Sequence, residues 1–325
     1  MGKFYSFIIA IFTALALTVA CVSNVKVEAE GYTFKDGYSV DVDFSFDLFE
    51  NSTKFNKKLA ITSLEITMAA KYGGEDFQAF ATYLGFENAE SYNYDVNNYN
   101  APAFNFASKE YDGKYYIMVC VRATHNVSDI ITDVFGGGLN GFVAAGNSVY
   151  QELEYYIKNY FPDANMTNLV FYISGHSLGG ACSGQLAKMI YRNGLAFDYN
   201  IYAYTFASPR YDAEGEIPEH FPFLFNVVVD QDIISKIPFN YGRLGTDIKY
   251  NDQKEYYTTF EYFTILIFIE RGLDVSQITL SHHQTKNYYE VLINDEYDGR
   301  SNFEKFIDSF VRTMIDVVER IILWS

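Results

Sequence analysis

Basic residues are scarce in this chain. Lys and Arg number 24 against 41 Asp and Glu, a formal charge of −17 over 325 residues. Nucleic-acid binding draws on clustered cations that neutralise phosphates, so the charge balance excludes that class of partner. The same field opposes an anionic membrane surface and makes neutral molecules the easier substrates. Cysteine is limited to Cys21, Cys120 and Cys182. The last two fall in apolar settings and are expected as buried small residues without a disulfide. Histidine is also sparse, with five in all. No cluster has metal-ligand spacing, so neither a metal nor an organic cofactor is expected. No internal repeat is visible.

Apolar and aromatic residues are plentiful. They make up 49% and 18% of the chain, with 29 Tyr and 29 Phe. A chain of this length and content suits one large α/β domain, expected over residues 30–325. Ahead of it lies a targeting segment, residues 1–29: Lys3 supplies positive charge, residues 4–19 an apolar core, and polar residues return from Ser23. Val27-Glu28-Ala29 resembles a signal-peptidase site. Thr18-Val19-Ala20-Cys21 resembles a lipobox that would leave a lipid anchor on Cys21, and a retained membrane anchor is a third ending. Each places the protein outside the cytoplasm, secreted or at the cell surface.

The most informative stretch is Gly175-His176-Ser177-Leu178-Gly179-Gly180. An apolar run, Leu169-Val170-Phe171-Tyr172-Ile173-Ser174, precedes it, and a helix-compatible segment rich in small residues follows. That is the context of a nucleophile elbow, in which a strand ends, the chain turns sharply through a serine and a helix begins at once. Gly175 and Gly179 flank the serine where side chains would collide as strand and helix backbones close on each other. The turn aims the unpaired N–H groups of the helix start at any negative charge formed beside the serine.

A serine hydroxyl is a poor nucleophile at neutral pH unless an imidazole takes its proton. In this arrangement the partners follow in the order Ser, acid, His. His125 and His176 precede the serine, and His220 precedes the best acids, which leaves the pair His282 and His283. The acid is expected just beyond a buried strand. Residues 223–229, Phe-Leu-Phe-Asn-Val-Val-Val, form a nearly unbroken apolar run of that kind, and Asp230 and Asp232 follow. Either carboxylate could orient the imidazole; Asp232 lies further out on the carboxyl side.

Three segments together resemble the fungal-type, or class 3, lipases of the α/β-hydrolase superfamily: the GHSLGG stretch, Tyr204-Thr205-Phe206-Ala207-Ser208-Pro209-Arg210, and residues 232–238 with Asp232 six positions before Pro238. The resemblance covers roughly residues 75–295. It implies a mostly parallel central sheet flanked by helices on both faces. It implies Ser177 as nucleophile and Asp232 as acid. It also implies His283 as base, because several bacterial members carry a tyrosine five residues after that histidine and Tyr288 fits, leaving His282 and Asp230 as runners-up. The oxyanion donors it implies are the N–H of Leu178 and Thr124, the latter in Arg122-Ala123-Thr124, where the family usually has Arg-Gly-Thr or Arg-Gly-Ser. Its substrates are acylglycerols or other lipid esters, met at times at a lipid interface.

Elsewhere the pattern predicts an amphipathic strand over residues 40–48, helices over 57–72, 76–84 and 142–160, and a polar loop over 88–100. Gly136-Gly137-Gly138 fits either a lid hinge or an ordinary loop. Residues 260–269 read as a core element or a substrate-facing cap, and residues 303–322 as a helix packed on the sheet. Two rival functions share the elbow. One is a non-catalytic lipid- or glycan-binding protein on the same scaffold. The other is an esterase of different specificity, such as a phospholipase, a feruloyl-type esterase or an acyltransferase.

Overall fold

The computed structural model describes residues 31–94, 102–122, 139–212, 215–230, 232, 234–237, 241–250 and 281–294. The targeting segment with Cys21, Ala123 and Thr124, the three glycines 136–138, Pro238, the apolar segment 260–269 and the predicted C-terminal helix lie outside these residues.

A short hairpin, β1 (Gly31–Thr33) and β2 (Ser39–Asp41), opens the described chain. The strand predicted to run to residue 48 stops at Asp41, and Phe46–Leu48 forms a single 3-10 turn. The expected alternation survives without the strand, since Val40, Val42 and Phe44 are all buried. Two helices follow, α1 (Lys57–Tyr72) and α2 (Gly74–Tyr83). The side chain of Asn56 starts α1 by accepting hydrogen bonds from the N–H groups of Lys58 (3.0 Å) and Leu59 (3.2 Å).

The main sheet runs β3 (Glu87–Tyr92), β4 (Phe104–Tyr111), β5 (Lys114–Val121), β6 (Leu169–His176), β7 (Ile201–Phe206), β8 (Leu224–Val229) and β9 (Thr246–Tyr250), with spatial order following chain order. The pairs β3–β4 and β4–β5 are antiparallel; the pairs from β5 to β9 are parallel. Helix α3 (Leu139–Tyr160) precedes β6, α4 (Leu178–Arg192) follows it, and α5 (Thr285–Ile293) comes last.

Side chains alternate across a strand, so one sheet supplies two cores. Ile117, Val119, Phe171 and Ile173 face α3 and α4 through Leu153, Tyr156, Leu186 and Ile190. Met118, Cys120, Tyr172 and Tyr204 face α1, α2 and α5 through Leu64, Phe80, Tyr288 and Leu292. Helices thus cover both faces, and this explains why β6, β7 and β8 read as continuous apolar runs: every residue of the three is buried. Cys120 and Cys182 are buried free thiols, each pushed up to about 12 by that burial.

The expected loop over 88–100 is a strand in its first part. Residues 88–92 belong to β3, which among the described residues is an edge strand pairing only with β4, through an irregular register. Its sequence, Glu-Asn-Ala-Glu-Ser-Tyr, lacks an apolar face because one side of an edge strand meets water.

Candidate active site

Three segments from distant parts of the chain meet at the carboxyl ends of the parallel strands. The first is the elbow. β6 ends at His176, α4 starts at Leu178, and Ser177 between them has φ 59° and ψ −130°. A positive φ is costly for a residue with a Cβ and persists only where the surroundings enforce it. Here the Ser177 N–H donates to the carbonyl of Phe206 (2.8 Å), and the Ser177 carbonyl accepts from the N–H groups of Gly180 (2.9 Å) and Ala181 (3.2 Å). A Cβ on Gly175 would come 2.3 Å from the carbonyl oxygen of Gly179, and one on Gly179 would come 2.2 Å from that of Val121. Neither glycine tolerates a side chain in this arrangement. The second contact also shows that the end of β5 abuts the first turn of α4. As the first residue of that helix, Leu178 has an N–H without a partner inside it.

The second segment is the turn after β8. The N–H of Asp232 donates to the Val229 carbonyl (2.9 Å), and the Ser235 hydroxyl donates to the Asp232 carbonyl (2.8 Å). Arg243 braces this turn from outside: its guanidinium donates to the carbonyls of Ser235 and Ser208 and forms a two-pronged pair with Asp247. It thereby ties the acid's turn to the end of β7. The third segment is a 3-10 turn, Ser281–His283, leading into α5.

His283 joins the other two. Its Nε2 lies 2.8 Å from Oγ of Ser177, and its Nδ1 lies 2.9 and 3.1 Å from the carboxylate oxygens of Asp232. A carboxylate acceptor at Nδ1 puts the ring's proton there and leaves Nε2 as an acceptor facing the serine hydroxyl. All three side chains are buried. Asp232 takes two further hydrogen bonds, from the Ile234 N–H to Oδ1 (3.0 Å) and from the Tyr288 hydroxyl to Oδ2 (2.8 Å). Tyr288 in turn accepts from the N–H of Val229 (3.2 Å). Burial first, and then the charge of Asp232, push the Tyr288 hydroxyl well above its ordinary range, so it remains a donor.

Of the two candidate acids, Asp232 supplies the oxygens that meet His283; Asp230 continues the β8–β9 ladder through its N–H to the Tyr250 carbonyl (2.9 Å). Of the two candidate bases, the ring at Ser177 is that of His283, with His282 buried beside it in the same turn. Leu178 stands at the elbow, and Thr124 lies outside the described residues. Sequence reasoning missed Arg243, which no local pattern marks.

Comparison with known proteins agrees with this geometry. The family model described as lipase (class 3) matches residues 118–242, a stretch that includes the elbow and Asp232. This stretch resembles the class 3 lipases. A lipase of Caenorhabditis elegans is 29% identical over 111 residues, which are 33% of this chain and 31% of that protein, so the chain spans under a third of this relative's length. Among solved structures, a Rhizomucor miehei triacylglyceride lipase is 17% identical, with 59% of this chain and 78% of that one covered and a TM-score of 0.39. The Lip2 lipase from Yarrowia lipolytica is also 17% identical, with 59% and 77% covered and a TM-score of 0.42. The sheet order and two-sided helix cover of this chain give it the α/β-hydrolase architecture. In motif it is similar to the class 3 lipases.

Proposed function

We propose that this class 3 lipase-like protein is an exported serine hydrolase that cleaves carboxylic esters of lipids through an acyl-enzyme on Ser177. The observation that carries the reading is the continuous chain of contacts Ser177 Oγ, His283 Nε2, His283 Nδ1 and Asp232. Ser177 Oγ attacks the ester carbonyl carbon while its proton passes to His283 Nε2, and Asp232 holds the imidazole in the Nδ1-protonated tautomer and stabilises the cation that results. The tetrahedral intermediate carries its charge on the former carbonyl oxygen, which the N–H of Leu178 and a second donor, Thr124 by family resemblance, stabilise. Such donors are worth about 3–4 kcal/mol each. Collapse breaks the carbon–oxygen bond to the leaving alcohol, which takes its proton from His283. Water then attacks the acyl-enzyme, with His283 again accepting a proton, and releases the acid.

The charge of −17 favours neutral esters over anionic ones, and the class 3 match favours lipid substrates such as acylglycerols. Export rests on residues 1–29, and N-terminal sequencing of the protein recovered outside the cell tests it. Turnover is tested with p-nitrophenyl butyrate, wild type against Ser177→Ala, followed by released fatty acid from triacylglycerol, phospholipid and feruloyl esters. Activity that vanishes in the alanine variant supports the reading, and the panel ranks the substrates. No turnover of any ester by the folded wild type would instead mark a binding protein on a hydrolase scaffold.

A further inference from the structure

Asp232 orients His283 only as well as its own turn is held, and the contacts of that turn lead to Arg243. Ser235 is the link. Its hydroxyl donates to the Asp232 carbonyl (2.8 Å), and its own carbonyl accepts from Nη1 of Arg243. The same Nη1 donates to the carbonyl of Ser208, just beyond β7 (3.1 Å). That strand end also holds the nucleophile. The carbonyl of Phe206 accepts the Ser177 N–H (2.8 Å), and a Cβ on Gly180, in the first turn of α4, would stand 3.1 Å from Cβ of Ser208. Arg243 thus reaches the backbone that supports the acid and the backbone that supports the serine.

We propose that Arg243 is a positioning residue for Asp232: one guanidinium, aimed by Asp247, locks the acid's turn to the strand end that holds the nucleophile, and so sets where the carboxylate meets His283. The inference rests on the reading of Ser177, His283 and Asp232 as a working triad. A displacement of about 1 Å between reacting groups can cost on the order of 100-fold in rate. The backbone ties the far end of the same turn, through the Arg210 N–H to the Ile237 carbonyl (2.8 Å). Arg243 does this at the near end, beside Asp232.

The shape of the side chain matters as much as its charge. Nε and Nη2 meet the two carboxylate oxygens of Asp247 at 3.0 and 2.6 Å while Nη1 meets the two carbonyls. Asp247 lies in β9, which pairs with β8, so the fork is aimed from the sheet itself. The Arg243 side chain is only 7% exposed, which leaves little room for water to stand in for these partners. A lysine carries its three donors on one atom and cannot serve a carboxylate on one edge and two carbonyls on the other.

The test compares the full-length wild type with Arg243→Lys and Asp247→Asn on p-nitrophenyl butyrate, each assayed well below its own melting temperature. Expected are a kcat about 10-fold lower in Arg243→Lys, a smaller loss in Asp247→Asn, and KM within about twofold in both. Arg243→Lys is then placed in the Asp232→Asn background. There it should add almost nothing to the kinetic loss while lowering the melting temperature as it does in the wild type. A brace that served only the fold would lower the melting temperature and leave kcat of the folded protein alone. An active wild type with unchanged kcat in folded Arg243→Lys therefore overturns this inference alone, as does a full further kinetic loss in the Asp232→Asn background. Should Arg243→Lys fail to fold, Asp247→Asn decides: a lower kcat at unchanged KM supports the proposal, and wild-type kcat overturns it. A wild type inert on all esters overturns the hydrolase reading and this inference with it.

Discussion

Nε2 of His283 stands 2.8 Å from Oγ of Ser177 although 106 positions of chain separate the two residues. No local preference brings them together. The contact exists because β6 ends where it does and because Tyr288, on the helix that follows the His283 turn, donates to Asp232.

The Asp232 side chain is the first point at which this arrangement can be tested. Asp232→Asn keeps the shape but offers His283 a group that can stabilise the wrong tautomer and no longer balances the imidazolium. A loss in kcat of about 1,000- to 10,000-fold is expected, with KM little changed. Tyr288→Phe removes one hydrogen bond to the same carboxylate and should cost about 1–3 kcal/mol in stability, with a smaller loss in kcat. Combined with Asp232→Asn it should add almost nothing to the kinetic loss, because both act through His283. Additive losses would show that Tyr288 works elsewhere.

Gly175 makes a prediction about stability rather than chemistry. A methyl there would stand 2.3 Å from the Gly179 carbonyl oxygen, a backbone atom that cannot move without displacing the first turn of α4. Gly175→Ala should destabilise by about 3 kcal/mol or more in urea unfolding. Gly194, where an added Cβ meets nothing within 4 Å, has φ +70° and serves as the contrast: there alanine is disfavoured by backbone strain alone, about 1 kcal/mol. Equal effects at the two sites would contradict the steric account of the elbow.

Glu65 lies inside α1 and is fully buried. Burial above all, with the carboxylates of Asp41 and Asp43 adding to it, pushes its carboxyl well above the usual range. The folded protein therefore keeps this proton at pH values where the unfolded chain has lost it. The sign follows: the group costs nothing in acid, and destabilises progressively as pH rises above the ordinary carboxylate range. Glu65→Gln should match the wild type in thermal stability near pH 4 and exceed it increasingly toward about pH 8. A difference that does not change with pH would contradict it.

Some of this was legible in the sequence, and the reasons are physical. The elbow is local: Gly175, Ser177 and Gly179 announce a turn whose requirements lie within five residues. β6 to β8 were legible because helices on both faces bury every position of these strands. β3 was not, because Glu87–Tyr92 forms an edge whose polar residues look like a loop. The choice between His282 and His283 came from family resemblance through the spacing to Tyr288, and the structure brings that same tyrosine to Asp232. The part that stayed hidden, Arg243 bracing the acid's turn, depends on backbone groups that approach only in the folded chain. A sequence pattern carries no sign of a side chain whose partner is a carbonyl far along the chain.

The most direct test of the central claim is covalent. A fluorophosphonate reacts with a serine only when a neighbouring base has made its hydroxyl nucleophilic, and peptide mass spectrometry locates the adduct. The account predicts stoichiometric labelling of Ser177, with loss of ester hydrolysis in step and no labelling at that peptide in His283→Ala. Wild-type protein that hydrolyses esters while Ser177 stays unmodified, or that labels Ser177 equally well without His283, would contradict it.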